Sequence, residues 1–414
     1  MVDAEYRLVS AGKARNQAQD LPFGAALLQI GNEVKNLDGH RRRQSLRRGI
    51  DRCKNRRLWY QTTSQMTGRR YGICFLGTGS ISARHIRTLR RLRPDARIAV
   101  ASRDQARARA FAHRFAIADA YGTYDEAVRS SYEVLVLATP PSTHAALVES
   151  GLQSGKHLLI EKPIFNTFSE LTALWPRLVD CRSVVMVAEN VHFAPFHRRL
   201  RRLLQESRQL GPPLFLDVVR LGRSSPTGWR ADQAEMALGA LHEGGVHWIR
   251  RLMDLAAVFE GEATDHVVNV AAFGPAAPLT TTPREDSTMV VARHRSGLTS
   301  RLLHSWALPW RFPLFDSSKV LLGGGALYFD ARGIYGRFYG SQRRQWLWPS
   351  LRDRSGFAAM WSHFLDRVES GAPPQLPLAT IFADFSYLDA AYRARSTGAI
   401  VEPVRVPAPH SPNN

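Results

Sequence analysis

The stretch GICFLGTGSISARH, running from Gly72 to His85, decides the fold. Its apolar start, Gly72 to Leu76, reads as a strand, and Gly77-Thr78-Gly79-Ser80-Ile81-Ser82 follows at once and opens a helix. Bare amides at a helix start, aided by the helix dipole, favour an anionic pyrophosphate. Gly77 permits the tight turn, Gly79 lets a phosphate approach the backbone, and the small Ser82 replaces a third glycine where helix and strand pack closely. Gly77, Thr78, Gly79, Ser80 and Ile81 are therefore expected to hold a dinucleotide.

Outward from this stretch, short apolar runs alternate with helical periods, as in a parallel sheet wrapped by helices. Strands are expected at 72–76, 97–101, 134–138, 156–160 and 184–188, with helices such as 105–115 and 143–154 between them. This is a doubly wound, Rossmann-type layout. Beyond residue 188 the rhythm changes. After a helix at 195–206, longer strand-like segments (214–221, 266–273, 288–294, 299–307, 318–322 and 326–330) surround one helix at 240–256, and two late helices at 357–370 and 379–395 follow. The expected fold is thus α/β: an N-terminal Rossmann domain at 70–188, then an α+β domain at 189–405 with a mainly antiparallel open sheet, and a tail at 406–414.

A chain of 414 residues with 44 % hydrophobic content can build two cores. Its apolar runs fall far short of the roughly 20 residues a membrane-spanning helix needs, so no membrane association is expected. Cys53, Cys74 and Cys181 are too few and scattered for a disulfide framework and lack metal-ligand spacing. A reducing cytoplasmic setting and no metal site are expected. The formal charge of +20 invites a nucleic-acid reading. It is spread along the chain, however, with a net +7 in residues 1–66 and +13 in the rest, and such a partner is disfavoured. Within the leader 1–66, the basic run His40 to Arg57 shows no helical or strand period. A disordered tail, residues upstream of a start at Met66, and a functional basic arm are all open readings of it.

At the end of the second strand, where a carboxylate commonly meets an adenosine ribose, the chain reads Ala101-Ser102-Arg103-Asp104. A hydroxyl and a guanidinium suit a 2′-phosphate, and Arg107, one helical turn on, adds a second cation. Ser102, Arg103 and Arg107 thus favour NADP over NAD, with Asp104 as the residue that complicates the choice.

GTGSISARH (77–85), ATPPSTH (138–144), EKP (161–163) and LGALHEGGVH (238–247), in that order, resemble the Gfo/Idh/MocA oxidoreductase family, which includes glucose-fructose oxidoreductase and inositol dehydrogenase. The resemblance spans about residues 70 to 405. It implies that Lys162 is an active-site lysine, that Pro163 follows it in a commonly cis linkage, and that His247 stands near the transferred hydride. Glu243 holds a position usually occupied by aspartate, one methylene longer. By the same resemblance His144 packs near the cofactor, and Thr139, Pro140 and Glu161 line its cleft.

The chemistry is coherent in its own right, since oxidising a secondary alcohol requires hydride transfer and removal of the hydroxyl proton. A lysine can polarise the forming carbonyl and a histidine can exchange the proton near neutral pH. Glu243 lies four residues before His247, so on one helix it could orient the imidazole or pair with Lys162. Asn190 and His192, after the last strand of the first domain, and Trp229 with Arg230 are candidates for the substrate wall. The expected substrate is a sugar, cyclitol or related polyol. Two other functions stay open: reduction of an imine or other unsaturated bond, and a non-catalytic nucleotide-binding regulator. An open second-domain sheet would offer a face for homo-oligomer assembly.

Overall fold

A computed structural model describes residues 71–261, 264–277, 280, 284–308, 317–341, 343–350 and 352–408. The leader at 1–66 lies outside the described residues, as does the tail from 409 onward.

Six strands form one parallel sheet: β1 (Gly72–Leu76), β2 (Arg97–Ala101), β3 (Asp119–Tyr121), β4 (Val134–Leu137), β5 (His157–Ile160) and β6 (Val185–Val187). Their order is β3-β2-β1-β4-β5-β6, so the winding reverses between β1 and β4 and opens a crevice at their carboxyl ends. Every residue of β1 and β4 is buried, which is why both read as unbroken apolar runs rather than alternating ones. Five helices cover the sheet: α1 (Ser80–Leu92), α2 (Gln105–Arg114), α3 (Tyr124–Arg129), α4 (His144–Gln153) and α5 (Phe168–Asp180). In α1 the inward stripe is Ser82, Ala83, His85, Ile86 and Leu89, while Arg90 and Arg91 complement the carbonyl end. A capping box between Thr167 and Glu170 starts α5. The strand β3 and the helix α3 add to the expected set.

The second domain contains α6 (Pro195–Glu206), β7 (Pro213–Leu221), α7 (Val246–Glu260), β8 (Val267–Phe273), β9 (Ser287–His294), β10 (Thr299–Ser305), β11 (Ser317–Leu322), β12 (Gly325–Asp330), β13 (Gly336–Gly340), β14 (Arg344–Leu347), α8 (Phe357–Ser370) and α9 (Leu378–Thr397). Its eight strands run in the order β14-β13-β12-β11-β7-β10-β9-β8. All neighbours are antiparallel except β7 and β10, which pair in parallel from Phe215/Thr299 to Leu221/Ser305. The helix α7 packs on β7 and β10 and buries Ile249, Leu252, Met253, Leu255 and Ala256. The helix expected at 240–256 is in fact two pieces: a π-helical turn, Leu241–Gly245, precedes α7.

The last two helices return to the first domain. Trp361 of α8, fully buried, donates its indole N–H to His85 Nδ1 of α1 at 2.9 Å. The helix α9 packs against α5, β6 and β8. Beneath the junction lies a buried charge cluster in which Asp254 accepts from His192 Nδ1 and His197 Nε2, each at 2.8 Å. Arg250 completes the cluster, 3.2 Å from Asp254 and 2.7 Å from Asp384.

Candidate active site

The crevice above β1 and β4 is a groove of two adjoining chambers that share Gly79, Ala138, Thr139 and Trp229. The outer chamber, about 440 Å³, is lined by Gly77, Thr78, Ser102, Arg103, Arg107, Tyr124, Pro140 and Glu235 among others. Gly77 has φ of +114°, and a Cβ there would stand 2.5 Å from the Ala138 carbonyl oxygen. Gly79 caps α1 with no side-chain hydrogen bond and no acidic residue in the first turn, and a Cβ on it would meet nothing within 4 Å. The helix start is therefore open and its amides are uncovered, which fits a pyrophosphate. Gly77→Ala is expected to cost on the order of 1–3 kcal/mol through its backbone conformation alone. Thermal unfolding checks this; an unchanged midpoint would show that the loop tolerates the methyl.

Asp104 lines the same chamber and is partly engaged as a helix cap through Oδ1. Its side chain caps α2, accepting from Ala106 N at 2.9 Å and Arg107 N at 3.2 Å. Ser102, Arg103 and Asp104 of the turn after β2 and Arg107 of α2 all face the outer chamber. Arg103, 64 % exposed, stands 3.6 Å from Glu235 of the second domain.

The inner chamber, about 430 Å³, is lined by Ser80, Ile81, Arg84, Glu161, Lys162, Pro163, Asn190, Arg230, Met236, Glu243, His247 and Phe357. The Lys162–Pro163 bond is cis. Lys162 Nζ donates to the backbone carbonyl of Glu243 at 2.7 Å, so the π-helical turn grips the lysine by its main chain. The Glu243 carboxylate turns the other way and accepts from Arg230 Nε at 3.0 Å. Burial pushes that carboxyl up, but Lys162 and Arg230 together outweigh it and hold Glu243 below the usual carboxylate range. Trp229 lies under the Arg230 guanidinium at 4.3 Å and fixes its plane.

The partner of His247 is not Glu243. His247 Nδ1 stands 2.7 Å from Glu189 Oε2, and Glu189 is buried just past the end of β6. The carboxylate accepts the Nδ1 proton, so Nε2 carries a free lone pair. Glu189 was not among the expected site residues, although its place at the carboxyl edge of a parallel sheet was a usable signal.

Two expected residues lie outside the groove lining. His192 is buried against Asp254, because the short helical turn Asn190–Phe193 sends Asn190 to the groove and His192 to the core. His144 is fully buried, its two nitrogens 2.9 Å from Ile164 O and 3.1 Å from Thr139 O. It braces the loops behind the groove and does not line it. Burial lowers its pKa, more than those carbonyls raise it. Glu161 reaches the groove wall while its carboxylate is pinned from below. Since indole only donates, His85 Nδ1 accepts from Trp361 and His85 Nε2–H donates to Glu161 at 2.7 Å.

Residues 70–189 match the GFO_IDH_MocA model, described as an oxidoreductase family with an NAD-binding Rossmann fold. The first domain belongs to the Gfo/Idh/MocA oxidoreductase family. An oxidoreductase of Rhizobium meliloti is 41 % identical over 20 % of this chain and 25 % of its own length. D-xylose 1-dehydrogenase (NADP(+)) 2 of Haloferax volcanii is 30 % identical over 31 % of this chain and 40 % of its own length. The chain thus spans less than half the length of these curated relatives. The likeness of fold reaches further: levoglucosan dehydrogenase in complex with NADH superposes with a TM-score of 0.70 at 18 % identity, over 82 % of this chain and all of that one. The Gfo/Idh/MocA domain supplies Lys162 from the loop after β5, and the second domain supplies Glu243 and His247 across the groove from it.

Proposed function

We propose that the chain is an NADP-dependent oxidoreductase that moves a hydride between nicotinamide and a hydroxyl or carbonyl carbon of a sugar, cyclitol or related polyol. The observation that carries this reading is the inner chamber, where Lys162, Glu243 and the Glu189-held imidazole of His247 line one cavity continuous with the dinucleotide groove. Nicotinamide, when bound, supplies the hydride acceptor or donor.

The protein's own share is the proton and the oxygen. With Nδ1–H tied to Glu189, His247 Nε2 takes the proton of the substrate hydroxyl, and the carboxylate stabilises the imidazolium that results. Lys162, aimed by the Glu243 carbonyl, stabilises negative charge on the same oxygen as the C–H bond of the carbon that bears it breaks and the hydride leaves. Asn190 and the Trp229–Arg230 pair form the wall that meets the remaining hydroxyls. The likeness to a xylose and a levoglucosan dehydrogenase supports a sugar-type substrate. Purified protein offered both cofactors and a panel of sugars, cyclitols and keto compounds tests the reading by absorbance; failure to bind either cofactor overturns it.

The preference for NADP rests on Ser102, Arg103 and Arg107, with Oδ1 of the neighbouring Asp104 engaged in the cap of α2. An exposed pair such as Arg103–Glu235 contributes at most about 1 kcal/mol, so a 2′-phosphate can displace Glu235. Arg103→Ala is expected to lower the NADP-to-NAD affinity ratio by about tenfold or more, as loss of one charge-assisted contact implies. An unchanged ratio by titration of both cofactors would remove Arg103 from the site.

No helix among the described residues is long and apolar enough to cross a membrane. Free Cys74 and Cys181 suit the cytoplasm. The half-exposed Phe215, Phe273 and Trp346 on the second sheet's strands support assembly with a second copy, which light scattering of the eluted protein reads directly.

A further inference from the structure

Away from the groove, three potential metal ligands converge where α7 ends against the edge of the second sheet. Glu260 is the last residue of α7, His266 immediately precedes β8, and His294 closes β9. One ligand atom from each lies within 4.8 Å of the others. We propose that Glu260, His266 and His294 form a site for one first-row divalent cation, zinc in the first instance.

Four observations support the assignment. The first is spacing. The two Nδ1 atoms face each other at 2.9 Å, and a tetrahedral zinc with Zn–N of about 2.0–2.1 Å separates two ligand nitrogens by roughly 3.3 Å, so an opening of a few tenths of an ångström admits the ion. The second is the outer partners. His294 Nε2 lies 2.7 Å from the buried Ser300 hydroxyl, which can take its proton and leave Nδ1 as the ligand atom. The Glu260 carboxylate is held by Ser296, from its amide at 3.1 Å and from its hydroxyl.

The third observation is charge. Both imidazoles are buried, so an unmatched cation beside them would oppose a metal ion. The cationic groups facing them are already matched: Arg295 pairs with Asp265 at 3.3 Å, and Arg250 with Asp254 and Asp384. Glu260 adds the negative charge, at the carbonyl end of α7, where the helix dipole favours a cation. The fourth is donor type, since two imidazoles and one carboxylate with a position left for water suit zinc over calcium or magnesium. Bound there, the ion would tie the end of α7 to β8, the strand at the edge of its sheet, and to β9.

The test uses the full chain stripped of metal by chelator and titrated with zinc chloride in a calorimeter, without cofactor. The wild type is expected to bind one equivalent and to gain in unfolding temperature. Glu260→Gln, a half-buried residue whose amide keeps its size, and His294→Gln should each weaken that equivalent by at least tenfold. Failure of the wild type to take up one equivalent overturns the site. So does retention of zinc with unchanged affinity in Glu260→Gln, which would place the ion elsewhere on the chain. The outcome is independent of the proposed oxidoreductase chemistry, because Lys162→Met should bind zinc as the wild type does.

Discussion

Replacing Lys162 by Met is expected to lower turnover by roughly 10³-fold, within the range of one positioned proton-transfer or electrostatic group. The loss should fall on kcat. Among the described residues Lys162 Nζ has one hydrogen bond, to a backbone carbonyl, and methionine keeps the stem that lines the chamber, so folding and cofactor affinity should change little. Glu189→Gln makes the matching measurement on the opposite wall. The amide keeps the shape and can still accept from His247 Nδ1, but it no longer balances an imidazolium, so an intermediate fall of about 10- to 100-fold is expected, with a changed pH profile. Steady-state rates on any substrate that the panel identifies check both variants. Unchanged turnover in Lys162→Met would withdraw the lysine from the chemistry, whatever Glu189→Gln shows.

The largest effect on stability should come from Asp254→Ala. Asp254 is the shared anion for His192, His197 and Arg250, all buried, and its removal leaves two ring nitrogens without their acceptor and Arg250 with Asp384 as its remaining carboxylate. Breaking a buried pair on one side costs about 3–5 kcal/mol. Urea unfolding measures it, and a loss under about 1 kcal/mol would mean that Asp384 or water takes over. The same cluster sets an acid limit. Burial, set against the Asp254 hydrogen bond, leaves His197 at about 3, so as pH falls below about 6.5 the unfolded chain binds a proton that the native state refuses, and stability declines. Burial raises the Asp254 carboxyl, but Arg250 and the two histidines outweigh it and depress it well below its ordinary value. Its contribution is therefore complete above about pH 4 and is lost below.

Much of this architecture was legible in the chain, and the exceptions have physical causes. The strands β1, β4 and β5 announce themselves because burial on both faces demands continuous apolar runs. The strand β3 has three residues, and β13 and β14 read GRFYG and RQWL, where arginine and glycine hide the strand period. Lys162, Glu243 and His247 are singled out by a family resemblance and line one chamber, but of the two partners that the spacing offers the Glu243 carboxylate, His247 and Lys162, it hydrogen-bonds neither among the described residues. A π-helical turn rotates the Glu243 side chain toward Arg230, and the imidazole meets Glu189 from another strand end. His192 shows the converse: adjacency to Asn190 in sequence says nothing of direction once the backbone turns helical. Phe357 in the groove and the Glu260, His266, His294 group depend on distant segments meeting, and no local motif marks them.

The parallel pairing of β7 with β10 has a kinetic consequence. Two parallel strands cannot be joined by a tight turn, and here the whole of α7 and the β8–β9 pair stands between them in sequence. The centre of the second sheet is therefore a contact of long loop closure, made only after the intervening segment has condensed. Refolding should be limited by that closure. Glu243 and His247 lie within the segment that this closure spans, so their side of the inner chamber would be completed only when β7 and β10 meet.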